Sequence, residues 1–132
     1  MPDFRSDRLF RLYTFNPTHR QLILRSEPVR GRETRVEIHF GNVSFLALQP
    51  ILRGVDLRAA SPQEARSAAE RYGLAADDHE SIFLVDRAEP MSFVVSGNPS
   101  WREADRAVQD PSLFDFSQPW PPGPDMAYGQ VS

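Results

Sequence analysis

The chain contains no cysteine and no lysine. The first absence removes disulfides, thiolate metal centres and cysteine nucleophiles at once, and it fits a reducing compartment. The second makes all 15 basic residues arginine, which a coding bias explains more simply than a demand for guanidinium geometry. No apolar run approaches the roughly 18 residues a membrane span requires. The first eight residues, Met1 to Arg8, are polar and lack an apolar signal core. A cytoplasmic protein with no membrane partner is the expectation. The catalytic signatures are missing too: there is no His-Glu-x-x-His, no glycine-rich phosphate loop and no serine in a nucleophile elbow.

What is present fits one core. At 132 residues, roughly two-thirds of the unfolded surface can be buried without disulfide or metal support. The net charge of −3 hides an asymmetry: residues 1–58 hold ten Arg and six acids, residues 59–132 five Arg and twelve acids. An acidic chain is a poor nucleic-acid binder, since that binding is driven by phosphate neutralisation. The basic N-terminal half keeps nucleic acid only as a third functional reading.

The clearest pattern is residues 34–48. Val36, Ile38 and Phe40 alternate with Arg35, Glu37 and His39, the period of a strand with one buried face. Gly41-Asn42 follows, a pair suited to a two-residue hairpin turn. That turn predicts that Phe40 faces Val43, Ile38 faces Phe45 and Val36 faces Ala47, all six on one face. Residues 8–15 and 20–26 predict a second hairpin across Asn16-Pro17-Thr18-His19, with Asn16 capping the bend. Residues 51–59 read as a strand bulged at Gly54.

Residues 61–73 change period. Ser61, Pro62 and Glu64 form a capping box with proline at the first helical position. Ala65, Ala68, Ala69 and Tyr72 recur at helical spacing, and Gly73 supplies the stop. Ser81 to Asp86 is an unbroken apolar run, as in a central strand covered on both faces. Residues 91–96 predict a further strand. Residues 100–108 read either as a helix capped by Ser100 or, preferred here, as a strand pairing back on 91–96. The expected fold is α+β, a mostly antiparallel sheet of about six to eight strands with one helix over 62–72. Residues 1–109 form its strand-rich domain. Residues 110–132 are a tail rich in proline and aromatics, docked on the domain or on a second copy in a homodimer.

Four groups could carry chemistry. Asp77-Asp78-His79-Glu80 lacks cation-loop spacing and reads as a solvated loop, so neither metal nor cofactor is expected. His19 and His39 are possible general bases. Arg25, Arg30, Arg32 and Arg35 could grip a carboxylate or phosphate patch, although Glu27 and Glu33 are interleaved. In the tail, Trp120 beside prolines suits an interface anchor.

The order of features also has a family look. His19-Arg-Gln-Leu-Ile-Leu-Arg25, a charged strand ending in Phe40-Gly-Asn-Val43, Phe45-Leu-Ala-Leu48 and Ile51-Leu-Arg-Gly-Val-Asp-Leu57 follow one another. Over about residues 10–97 this resembles the small strand-rich immunity-type proteins of bacterial polymorphic-toxin systems, and related uncharacterised bacterial proteins. The resemblance implies a non-enzymatic protein that binds another protein. The alternative is a small ligand-binding domain or enzyme using His19, His39 and the Arg25–Arg35 group.

Overall fold

The computed structural model describes residues 3–86, 91–119 and 121–132. Among them, nine strands form one sheet: β1 (Phe4–Asn16), β2 (Gln21–Ser26), β3 (Thr34–Phe40), β4 (Phe45–Ala47), β5 (Ile51–Ala59), β6 (Ile82–Leu84), β7 (Phe93–Val95), β8 (Ser100–Asp105) and β9 (Ala127–Gln130). The spatial order is β4-β7-β6-β5-β1-β2-β3-β8-β9, and every pairing is antiparallel. One helix, α1 (Pro62–Tyr72), and a 3-10 turn over Ala76–Ser81 complete the α+β fold. Nine strands exceed the six to eight expected.

The sheet curls on itself. Phe4 of β1 and Trp101 of β8 have ring centroids 5.0 Å apart, yet two strands lie between them in the order. A flat sheet would hold those strands about 14 Å apart, at roughly 4.8 Å per strand. Inside the roll, Phe10, Leu22, Leu24, Val36, Ile38, Phe40, Leu57, Phe83 and Val94 share one buried cluster. No helix contributes to it, so the sheet is its own cover.

Two further layers lie outside the roll. The α1 face of Ala65 and Ala68 packs on Ile82, Leu84, Phe93 and Val95 of β6 and β7. Alanine lets the helix lie close to the sheet but adds little apolar area. Tyr72 adds ring contacts to Phe45 and Phe93, each at 5.3 Å. On the other half, Ala104 of β8 is buried with Leu113 and Met126 from the C-terminal segment. That segment then returns as β9 against β8.

Local chemistry explains the elements that were predicted well. Ser61 Oγ accepts from the Glu64 amide and Glu64 accepts from the Ser61 amide, while Gly73 ends α1 in the left-handed conformation at φ 68°. Asn16 accepts from the Thr18 and His19 amides at 3.0 and 3.1 Å, so the β1–β2 turn forms as expected. β6, buried at all three positions, sits between β5 and β7.

Three expectations are corrected. The 34–48 hairpin does not form: β3 pairs with β2 and β8, and β4 pairs with β7. Asn42 does adopt a positive φ of 52°. The chain, however, leaves the plane of β3: Val43 donates to the Arg20 carbonyl and Ser44 to that of Val95. The facing on β4 is therefore inverted. Leu46 and Leu48 join the inner cluster, whereas Phe45 and Ala47 face α1. Residues 100–105 are a strand, but paired to β3 and β9 rather than to β7. Finally, the irregularity near Gly54 belongs to the opposite strand. Ser6 faces Val55 and Leu9 faces Arg53, so β1 carries the extra residue and Gly54, at φ 98°, lies against that bulge. A second shift on β1, between Leu12 and Thr14, sets out Tyr13.

Candidate functional site: an arginine-rich outer face

Paired residues share a face, so the ladder fixes one row across the outside of the roll. It runs Ile51, Arg11, Arg25, Glu37, Arg102 and Tyr128 on β5, β1, β2, β3, β8 and β9. The C-terminal segment covers part of this row and leaves the rest open.

The covered part is ionic. Arg35 and Glu37 are fully buried, and Arg25 is 4 % exposed. Arg35 donates from Nε to Glu27 at 3.2 Å, and from Nη1 to Glu37 at 3.5 Å. Its remaining donors reach the carbonyls of Asp110 (3.2 Å), Pro111 (2.9 Å), Ala107 (2.5 Å) and Val108 (3.1 Å). One planar fork thus gathers four carbonyls of a segment with no ladder of its own. Glu37 in turn accepts from the Ser112 hydroxyl and the Leu113 amide. Arg102 donates to the Leu113 carbonyl at 2.6 Å, with its guanidinium carbon 4.3 Å from the Phe114 ring centroid. His39 stacks on Phe114 at 5.1 Å. Burial first, and the Arg102 charge second, hold its pKa below the ordinary value.

The predicted basic group is therefore split. Arg25 and Arg35 meet at Glu27 and Glu37 inside the wall. Arg32 is exposed and pairs with Asp7 through both carboxylate oxygens. Arg30 is exposed in the β2–β3 loop. His19 is exposed in the β1–β2 turn, while His39 pairs with Ile23 on β2; the two rings belong to different parts of the surface. Trp120 lies outside the described residues. Among those residues, no group of three or more His, Asp or Glu side chains could hold a metal ion, and no helix is long and apolar enough to cross a membrane.

The open part was missed by sequence reading. Leu9, Tyr13 and Ile51 are 37, 50 and 40 % exposed, large values for such side chains. Arg11 faces Ile51 and Arg53 faces Leu9, so the two guanidinium groups alternate with apolar residues. Among the described residues, Arg11 and Arg53 have no ion-pair or hydrogen-bond partner. The signal lay in the alternation of β1 itself, where Leu9, Arg11 and Tyr13 are the outward set; the bulge at Tyr13 was invisible in sequence.

Two grooves flank this face. The larger, about 800 Å³, opens at one end of the roll between Arg5, Arg8, Arg32, Thr34, Asp56 and Glu103. Its cations are already paired: Arg5 with Asp56, Arg8 with Glu103, Arg32 with Asp7. The smaller, about 400 Å³, lies between β1 and the end of β2. No family model, characterised protein or solved structure matches the chain.

Proposed function

We propose that the chain is a non-enzymatic protein-binding domain whose outer β5–β1 face takes an acidic surface of another protein. One observation carries this reading. Among the described residues, unpartnered Arg11 and Arg53 alternate with exposed Leu9, Tyr13 and Ile51 on a sheet face away from α1. Aromatic and arginine side chains are the residues that dominate interface energetics, and unpaired surface cations favour an acidic partner and speed its arrival. The similarity to immunity-type proteins supports the same class, with toxin neutralisation in the cytoplasm as its specific form. Buried Arg35 then acts as scaffold, and the protein-contact residues shift from the Arg25–Arg35 group to β1 and β5.

The test is affinity capture from the native lysate with two baits, the wild type and the double variant Tyr13→Ala/Arg53→Glu. An acidic protein retained by the first bait and lost from the second, with a bound fraction that falls as salt rises, supports the reading. Identical retention by both baits would sink it. Retention of nucleic acid instead of protein would replace it with the basic-surface alternative.

A further inference from the structure

The β1–β2 ladder ends at the pair Arg11–Arg25. Beyond that pair β1 follows β5 and β2 runs into the β2–β3 loop. The wall therefore forks, and the fork is the groove of about 400 Å³ lined by Asp7, Arg8, Leu9, Arg11, Arg25, Ser26, Glu27, Val29 and Arg32. Arg8 spans its floor, donating from Nε to Ser26 Oγ at 3.0 Å and from Nη2 to the Glu27 carbonyl at 3.3 Å.

Three features of this fork lack an internal explanation. Arg11 and Arg25 stand directly opposite each other on an antiparallel pair, an arrangement that is destabilising for like charges. Arg25 is almost wholly buried, yet its Nε donor has no acceptor, and Nη2 lies 3.1 Å from Glu37 without hydrogen-bond alignment. A buried unsatisfied donor on a charged group is costly and rare. The lining also keeps one free charge: Arg32 is paired with Asp7, Arg8 with Glu103 and Arg25 with Glu27 and Glu37, which among the described residues leaves Arg11 alone. A single anion seated between Arg11 and Arg25 answers all three.

We infer that the fork between β1 and β2 is a binding site for a phosphate-type oxyanion. Guanidinium forks match the geometry of such oxygens. A phosphate monoester carries about 1.5 to 2 negative charges at neutral pH and three strong acceptor oxygens, enough to take the free Arg11 fork and the Arg25 Nε donor at once, whereas a carboxylate offers two oxygens. Arg11 supplies the exposed fork, Arg25 Nε the inner donor, and Ser26 a hydroxyl. Tyr13, whose ring centroid lies 3.3 Å from the Arg25 guanidinium carbon, forms the outer wall over Arg25. The site shares Arg11 and Tyr13 with the docking face but needs no partner protein, so phosphate binding to the isolated chain tests it without one.

Arginine Nε–Hε resonances of the 15N-labelled protein read the site directly. Titration with inorganic phosphate at constant ionic strength is expected to shift the Arg11 and Arg25 signals in a saturable way, with chloride leaving both in place. Arg11→Gln, a surface change that leaves the fold intact, lowers phosphate affinity at least ten-fold, and Arg11→Lys falls in between. Glycerol phosphate binding more tightly than a phosphoserine tripeptide assigns the site to a small-molecule ester, and the reverse order to a modified side chain. An Arg25 Nε–Hε signal that stays fixed throughout, or equal phosphate affinity in the wild type and Arg11→Gln, overturns the inference.

Discussion

The two outer covers of the roll do the same work by opposite means. On the β4–β7–β6 half, α1 satisfies its own backbone and presents alanines to an apolar layer. Among the described residues its polar tie to the sheet is ionic: Arg58 of β5 donates to both oxygens of Glu64, at 2.8 and 2.6 Å. On the β3–β8–β9 half, the segment from Ala107 to Leu113 has neither helix nor ladder, and its carbonyls fall to Arg35 and Arg102. A helix carries its hydrogen bonds with it. An irregular cover must draw them from the surface below, and that surface therefore has to be charged although it is buried. The comparison places the ionisable weak point of the fold under the C-terminal segment, not under the helix.

Removing the fork is the strongest way to break that contrast. Arg35→Met leaves the carbonyls of Val108, Asp110 and Pro111 without a donor, weakens the hold on that of Ala107, and takes one of the two cations from buried Glu37. It is expected to cost about 3–5 kcal/mol in urea denaturation, with early proteolysis between residues 107 and 126. A loss under 1 kcal/mol would show that the segment holds itself. Next comes Leu113→Ala, which empties a fully buried site and should cost about 2–5 kcal/mol. On the helical side, Ser61→Ala removes the cap and should cost only about 1 kcal/mol, with the C-terminal segment as protected as in the wild type. If it instead exposes that segment to protease, the two covers are coupled and the comparison fails.

Acid separates the covers more finely. Glu64 is held at about 2 against an ordinary 4.5, chiefly by its hydrogen bonds from Arg58. Its folded-state value is depressed, so its stabilisation is full above pH 4.5 and is lost as pH falls towards 2. Being partly exposed, the pair is worth about 1 kcal/mol after screening. His39 acts in another window. Its depressed folded-state value means the unfolded chain takes up the proton first, so stability falls as pH drops below 6.5 and levels off once the folded ring is protonated. A stability–pH curve should therefore show two steps. His39→Gln should abolish the step that begins below 6.5, and Glu64→Gln should shrink the one below 4.5, to which Asp7, held low by Arg32, also contributes. Persistence of the upper step in His39→Gln would assign it elsewhere.

What the sequence made legible was local. The capping box, the Asn16 turn and the apolar run of β6 each depend on a few neighbouring residues, and each formed. Pairing depends on what competes for a strand's edges, and single-sequence patterns carry no record of that. Gly41-Asn42 resembled a hairpin turn, but β2 and β8 occupy both edges of β3, which leaves β4 to seek β7. The Arg35–Glu37–His39 face read as the polar side of the strand, and nothing in the sequence showed how completely it is closed. It is buried because a segment more than 70 residues away closes over it. The open β5–β1 face stayed hidden for the converse reason: β1 reads as core, and only its bulges and its neighbours decide which residues point outwards.

The contact between Phe4 and Trp101 gives the molecule a built-in optical gauge. Gly129 lies so close beneath the indole that a Cβ there would sit 2.6 Å from Nε1, so the ring is held between two strands that a flattened sheet would pull apart. Emission from Trp101 should redden as soon as the roll loosens, ahead of any loss of far-UV signal from the ladders themselves.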